Sequence, residues 1–298
     1  MPLPVTEHLH PAASGLDTLP PATVLSHLLA GQMAALQIVD AALPQIEAGA
    51  LLMASALRGD GRLVYAGAGS SALMALADGM ELGGTFGIDS DRIMLRMAGG
   101  LPVDARMPGD TEDDSAEGIR AAAGLRPGDV VIAVTASGRT PFALAIAKGA
   151  RTTGASVIGI ANTPAAPLFD LCDVAICLPT PPEVLAGSTR LGAGTAQKAA
   201  LNLMSTLMGI FLGQVHDGMM VGLIADNEKL RGRALATVGR IAGVDATRAA
   251  MALDLAGGAV KPAVLIARGQ APDTARHLLK INQDNLRATL AHLQKADA

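Results

Sequence analysis

The chain has 298 residues, of which 50% are hydrophobic, 17% are charged and only 2% are aromatic. Its formal net charge of −4 argues against a basic surface for a nucleic-acid backbone, and the shortage of aromatic rings argues against stacking on single-stranded bases. The length suffices for one large α/β domain with a smaller appendage, and the core must consist mainly of aliphatic residues and Met.

The N-terminal part is predicted to be an extended arm followed by two helices. Residues 1–20 contain four prolines and no basic region followed by an apolar run, so they do not resemble a secretory leader. From about Ala22 to Leu57, apolar residues recur every three or four positions, and Pro44 breaks or kinks the resulting helix. The uncharged stretch Ala199–Gln214 is short for a bilayer crossing. We therefore expect a cytoplasmic protein without a membrane partner.

Five short apolar runs follow, most of them separated by stretches long enough for a helix. They are Arg62–Ala66, Arg92–Met97, Asp129–Thr135, Ser156–Ala161 and Asp173–Leu178. Continuous apolar strands that alternate with helices are typical of a parallel sheet covered on both faces. We therefore predict an α/β fold with a doubly wound, five-stranded parallel sheet in an αβα sandwich. The link Thr163–Leu171 has room for only a turn of helix.

The rest of the chain is predicted to be mainly helical. Gly194–Leu212 and Asp226–Arg240 are helix candidates, whereas the short apolar run Ala263–Ile266 fits either a strand or a buried helix. We predict an arm over residues 1–20, a main domain over 21–240 and a small helical C-terminal subdomain over 241–298. Cys172 and Cys177 have no further thiol or imidazole ligands close by in sequence, so no metal site is expected.

Two loops after predicted strands have the composition of an anion site. Gly67–Ser71 follows the first strand and Ala136–Pro141 follows the third; both contain glycine and hydroxyl side chains and precede a helix start. Ordinary helix capping is the plainer explanation of either loop alone. Because two such loops follow strands of one sheet, phosphate binding is favoured. The candidate residues are Gly69, Ser70, Ser71, Ser137, Gly138, Arg139 and Thr140, although Arg139 has the alternative of a salt bridge nearby.

A dinucleotide site is the rival interpretation of Gly67–Gly69. The third glycine of that motif is replaced by Ala72, and the second strand ends in Arg96–Gly99 without an acidic residue for a ribose hydroxyl. We therefore disfavour NAD binding.

Three further features are candidates for the chemistry. Ser188 and Thr189 stand in a polar segment before an apolar helix, where they would cap the helix or bind a ligand, and Glu183 and Lys198 of the same block are candidates for an ion pair. Glu81 lies in an apolar, glycine-rich stretch, where a solvated helix residue and a functional carboxylate are equally plausible. Glu112 lies in an acidic run, whose composition alone favours a solvated helix cap.

Taken together, these segments resemble the N-acetylmuramic acid 6-phosphate etherase family of the sugar isomerase (SIS) class, over most of the chain. Glu183–Lys198 is the most specific block. The other matching segments are Leu16–Leu19, Gly61–Ser71, Ala98–Gly100, Glu112–Asp113, Ala136–Pro141, Leu201–Thr206 and Asn227–Leu230.

The resemblance implies a lyase that cleaves the D-lactyl ether of N-acetylmuramic acid 6-phosphate, giving N-acetylglucosamine 6-phosphate and D-lactate. It also implies a homodimer that needs no metal or redox cofactor and binds a phosphorylated amino sugar. By position, Glu81 matches the acid on the leaving group, and Glu112 matches a C2 base or ring-opening residue. Ser188, Thr189 and Lys198 join the candidate substrate-binding residues.

Three positions depart from the family pattern. Ala72-Leu73 stands where Gly-Arg is usual, Leu82-Gly83-Gly84 stands where Cys-Pro-Pro is usual, and Gly192 stands where Lys is usual. The loss of Arg at Leu73 and of Lys at Gly192 removes positive charge near a site for an anion. The three departures leave open a related amino-sugar phosphate as substrate, a non-catalytic sugar-phosphate sensor, and a phosphosugar isomerase or deaminase of the same fold.

Overall fold

The computed structural model describes residues 8–107, 110–223 and 228–296. The chain forms two compact units. The first comprises Met1–Met80 and Ser90–Ser205, and the second comprises Glu81–Asp89 and Thr206–Ala298. The candidate phosphate loops belong to the first unit.

The first unit begins with short 3-10 turns at Pro11–Ala13 and Leu16–Thr18, neither of which contains a buried residue. Helix α1 (Pro21–Gln37), a 3-10 segment (Ile38–Ala42) and helix α2 (Leu43–Arg58) follow. The predicted division into two helices is confirmed. Pro44 lies in the first turn of α2, where its missing N–H costs nothing because that group has no intrahelical partner.

The stretch Pro21–Arg58 is long and apolar enough to cross a bilayer by length and composition alone. Its second half is a core helix instead, since α2 buries Ile46, Ala50 and Met53 and contacts the central sheet. The stretch is therefore weak evidence for a membrane span.

The predicted five-stranded parallel sheet is confirmed. Its strands are β1 (Leu63–Gly67), β2 (Ile93–Met97), β3 (Val130–Thr135), β4 (Ser156–Ala161) and β5 (Val174–Cys177). All neighbouring strands pair in parallel, in the order β2-β1-β3-β4-β5. The order reverses between β1 and β3, which makes that point the topological switch point where ligands bind in open α/β sheets.

Helices cover both faces of the sheet. In chain order, the helices after β1 are α3 (Gly69–Phe86), α4 (Ser115–Ala122), α5 (Pro141–Thr153) and α6 (Gly192–Phe211). Short 3-10 turns lie at Ser90–Arg92, Thr111–Asp113 and Pro167–Leu171. On one face, Val64 and Ala66 pack with residues of α5 such as Ile146. Leu63 and Tyr65 point to the opposite face because side chains alternate along a strand.

The second unit is mainly helical. It contains α7 (Glu228–Ala242), α8 (Ala246–Leu255), α9 (Val260–Ala267), α10 (Pro272–Ile281) and α11 (Leu286–Ala296). The ambiguous run Ala263–Ile266 lies within α9, where Ala263, Val264 and Leu265 are fully buried. It is therefore a buried helix.

A small antiparallel hairpin, β6 (Val215–His216) and β7 (Met219–Met220), precedes these helices. Asp217 and Gly218 form its turn with φ angles of 47° and 73°, as a tight hairpin turn requires. This hairpin is not predictable from the sequence, because strands of two residues give no alternating pattern.

Candidate active site

The two candidate phosphate loops follow adjacent strands at the switch point. Gly67 at the end of β1 pairs with Val134 of β3, so the segments after both strands leave the same edge of the sheet. The first loop begins α3 at Gly69 and the second begins α5 at Pro141. Both loops therefore offer free N–H groups of a helix start on the ligand-binding edge of the sheet.

Glu112 lies directly over the first loop. Gly69 has a φ of 53°, and a Cβ atom added there would overlap the Oε1 atom of Glu112. Only glycine therefore leaves room for this carboxylate beside the start of α3. The structure brings together two residues that are far apart in sequence, a loop glycine and a candidate catalytic carboxylate.

Burial shapes the chemistry of Glu112. Its carboxyl is partly buried, and this burial, with the neighbouring Asp113 charge second, raises its pKa above the ordinary value of 4.5. The segment is anchored by α4, whose N-cap Asp114 accepts from the N–H of Glu117 at 2.9 Å. The carboxylate of Glu117 in turn accepts from the N–H of Gly99, after β2, at 3.0 Å.

The second loop is a compact turn before α5. Ser137 Oγ accepts from the N–H of Arg139 at 3.1 Å, and the hydroxyls of Thr140 and Thr135 lie 2.8 Å apart. Gly138 has a φ of 67° and packs so closely on Ala166 that a Cβ atom there would clash. Thr140 is the N-cap of α5 but makes no side-chain cap, so the first N–H groups of that helix are left for a ligand.

Arg139 is exposed and forms no ion pair with any residue in the described ranges. The alternative of a nearby salt bridge is therefore wrong for the part of the chain that the structure describes.

The predicted ion pair between Glu183 and Lys198 is wrong. The buried Glu183 carboxylate accepts from the N–H groups of Gly192 and Ala193, each at 2.8 Å. A carboxylate at a helix start is favoured by both the free N–H groups and the helix dipole, so Glu183 caps α6 instead. Ser188 and Thr189 lie half-buried in the turn just before α6.

Lys198 belongs to a different polar network, which no local sequence pattern predicts. Its Nζ donates to Asn202 Oδ1 at 2.6 Å, and Asn202 Nδ2 donates to Asp78 Oδ1 at 2.8 Å. Asp78 is buried and also accepts from the Tyr65 hydroxyl at 2.8 Å and from Ser205 Oγ at 2.9 Å. Burial raises the pKa of Asp78, although the three hydrogen bonds oppose the rise. The network fixes Asn202 and, through it, the Lys198 ammonium group.

A second buried network reaches the first loop. Gln197 Nε2 donates to Ser71 Oγ at 3.0 Å and to Asn162 Oδ1 at 2.8 Å. Asn162 directly follows β4 and is 1% exposed. Its Nδ2 atom and Gln197 Oε1 have no partner among the described residues. Because Gln197 donates to Ser71, the Ser71 hydroxyl is free to donate its own hydrogen elsewhere.

Comparison with known proteins defines the family. A family model described as the SIS domain matches residues 31–162. N-acetylmuramic acid 6-phosphate etherase from Deinococcus radiodurans is 41% identical over 263 residues, covering 88% of this chain and 86% of that protein. The etherase from Streptomyces avermitilis is 38% identical over 290 residues, covering 96% and 93%. The chain belongs to the N-acetylmuramic acid 6-phosphate etherase family.

Solved structures with a similar fold resemble this chain less closely than the etherases do. A phosphoheptose isomerase from Francisella tularensis matches with a TM-score of 0.45 and 19% identity, covering 64% of this chain and 96% of that one.

The second carboxylate that the family resemblance singles out, Glu81, lies on α3 in the second unit. It is exposed.

The structure shows which side chains surround two of the positions that depart from the etherase family pattern. Ala72 is 1% exposed and packs with Leu76 and Met97, so this position is part of the apolar packing behind the first loop. A Cβ atom at Gly192 would lie 3.0 Å from Glu183 Oε2 and 3.1 Å from the Ala35 Cβ atom. A lysine at position 192 would therefore require Glu183 to move.

Proposed function

We propose that this member of the family cleaves the D-lactyl ether of N-acetylmuramic acid 6-phosphate and releases D-lactate and N-acetylglucosamine 6-phosphate. The observation that carries the proposal is the 41% identity to an etherase over 88% of the chain. The placement of Glu112 over the first loop supports it, because an acid–base residue must lie beside the bound sugar.

The phosphate is proposed to bind between the first and second loops. Ser70, Ser71, Ser137, Gly138 and Thr140 are proposed to bind the phosphate there together with the free N–H groups that begin α3 and α5. Two helix starts favour a dianion by both hydrogen bonding and dipole. Lys198, held by Asn202, is proposed to supply a positive charge for the substrate.

The reaction is proposed to be an elimination followed by hydration. A base removes the proton at C2 of the open-chain sugar, the C3–O bond breaks, and an acid protonates the departing lactate oxygen. Water then adds at C3 and a proton returns to C2. Glu112 is the proposed C2 base, since a raised carboxyl pKa brings it closer to the working pH. Glu81 is the proposed acid on the leaving group.

The test is D-lactate release. The purified chain is incubated with N-acetylmuramic acid 6-phosphate, and lactate is measured with a coupled D-lactate dehydrogenase. Glu81→Gln and Glu112→Gln are the variants, each keeping side-chain size while removing the titratable group. Release by the wild type and its loss in both variants supports the proposal. Absence of release, with the sugar phosphate still raising the melting temperature, would instead favour a sensor or a different phosphosugar substrate.

We propose that the protein is a cytoplasmic homodimer and that α1 lies in its interface. Leu25, Leu29 and Met33 form one stripe at helical spacing and are 66%, 60% and 56% exposed. Helix α1 contains no Lys or Arg, so it has no such cationic side chains beside the stripe that would bind an anionic membrane surface. An apolar surface of this kind is typical of contacts between subunits.

The oligomeric state tests this surface. Leu25→Glu combined with Leu29→Glu is expected to yield monomers in sedimentation velocity. Met251→Glu is the matched control, because Met251 is 63% exposed on α8, away from α1 in sequence. A dimer that survives the double substitution would rule out α1 as the interface.

A further inference from the structure

The second unit contains a cavity of about 410 Å³ that lies entirely within its own residues. Its walls come from the β6–β7 hairpin, the end of α7, the end of α9 and one side of α11. The charged and imidazole side chains in these walls are those of His216, Asp217, Arg240, Arg268 and Arg287. The volume lies in the range of small-molecule sites.

Positive charge dominates this cavity. Three arginines, Arg240, Arg268 and Arg287, face a single carboxylate, Asp217, in a chain whose overall charge is −4. Arg287 forms an ion pair with Asp217. The guanidinium groups of Arg240 and Arg268 form no hydrogen bond or ion pair with the residues that the structure describes. Two guanidinium groups therefore remain for an anionic ligand.

Helix ends explain only part of this clustering. Arg240 lies in the last turn of α7 and Arg268 is the C-cap of α9, positions where the helix dipole favours a cation. Arg287 lies in the first turn of α11, which contains no acidic residue. The dipole disfavours a cation at a helix start. The third arginine is thus placed against the local dipole preference, where it pairs with Asp217 in the wall of the same cavity.

His216 completes the polar wall. The residue is 8% exposed, and its Nε2 atom lies 3.7 Å from Asp217 Oδ2. Burial, with the Arg287 charge next, lowers the pKa of His216, and Arg268 adds to the effect, although Asp217 opposes it. The imidazole lies beside the charges of Arg287 and Arg268 and offers a hydrogen-bonding group suited to one oxygen of an anion.

We propose that this cavity binds a small phosphate monoester. Planar guanidinium groups recognise phosphate oxygens through paired N–H donors. Met219, Ile241 and Leu290 supply an apolar wall. The organic part of a phosphate ester would contact this wall, whereas a bare phosphate ion would leave it uncovered. The site is separate from the loops of the first unit and does not depend on the proposed etherase activity.

Histidine NMR of the full-length protein tests this proposal locally. The imidazole resonances of the six histidines are followed during titration with glucose 6-phosphate and, separately, with inorganic phosphate. His216→Asn identifies the His216 signal. We expect a saturable shift of that signal with both probes, and tighter binding of the ester. Ser137→Ala, in the second phosphate loop of the first unit, should leave this shift unchanged.

Arginine variants supply the decisive comparison. Arg240→Gln and Arg268→Gln are each expected to weaken the apparent affinity about tenfold, the size of one charge-assisted hydrogen bond. Arg248→Gln is the matched control, since Arg248 is an exposed arginine of the same unit outside the cavity. An unmoved His216 signal at millimolar ester, or equal affinities in all three variants, would overturn the proposal. Equal binding of ester and phosphate ion would overturn its assignment to a monoester.

Discussion

Gly69→Ala tests the placement of Glu112 over the first loop. The substitution has two separable effects. The φ of 53° is in the left-handed region, where a residue with a Cβ atom costs about 1–2 kcal/mol. The new methyl group also overlaps Glu112 Oε1. Because that atom is the end of a flexible side chain, it can retreat by on the order of 1 Å to an ordinary contact distance with little further loss of stability.

These two effects predict different outcomes for stability and activity. We expect the melting temperature to fall by about 2–8 °C, from about 2–4 °C per kcal/mol. We expect kcat for D-lactate release to fall about hundredfold, since a displacement near 1 Å of a catalytic group can cost that much. The measurements are thermal unfolding by circular dichroism and the coupled lactate assay at saturating substrate.

Gly124→Ala is the matched control. Gly124 has a φ of 85°, and a Cβ atom added there would meet no other atom within 4 Å, so this substitution introduces the backbone strain without touching Glu112. It should lower the melting temperature by a similar amount and leave kcat near that of the wild type. Equal kcat values for the two variants would refute the placement of the Glu112 carboxylate in the active site. A rise in KM alone for Gly69→Ala would assign the effect to phosphate binding instead.

Three further substitutions have defined outcomes. Glu183→Gln should destabilise the fold by about 1–3 kcal/mol in urea unfolding, because an amide cannot accept from both buried N–H groups at the start of α6; an unchanged midpoint would contradict the capping role. Glu112→Gln should raise the melting temperature at pH 7, because burial raises the Glu112 pKa and so penalises the ionised form. This gain in melting temperature should vanish below pH 4.5, the ordinary pKa, where Glu112 is protonated in both the folded and the unfolded protein. A gain that persists at that pH would have another cause. Asn202→Leu should raise KM more than it lowers kcat, because Lys198 loses its 2.6 Å partner, and an unchanged KM would exclude Lys198 from substrate binding.

The strands and their loops were predictable because their signals are local. Each buried parallel strand is a continuous apolar run, and each candidate phosphate loop follows its strand directly in sequence. Proline at the start of α2 and of α5 likewise marks a helix start through its own geometry. The strand order was not predictable in this way, and it is the order that places the switch point between β1 and β3.

The polar partners inside the first unit were not predictable because they are remote in sequence. Gln197 and Ser71 are 126 positions apart, and Asn202 and Asp78 are 124 apart. Glu183 and Lys198 stand close in sequence with opposite charges, which suggested a pair. The N–H groups at the start of α6 are nearer partners for Glu183 than Lys198 is, and no composition rule reveals that competition.

The sequence by itself determined the fold class and the two candidate phosphate loops, since periodicity and glycine placement lie in short segments, whereas the two candidate carboxylates follow only from the resemblance to the etherase family. Only the tertiary structure decided that Glu112 covers Gly69, that Lys198 is held by Asn202, and that three arginines of the second unit surround one cavity. Burial and charge pairing join segments far apart in the chain, and their partners become known only when the segments have been packed together.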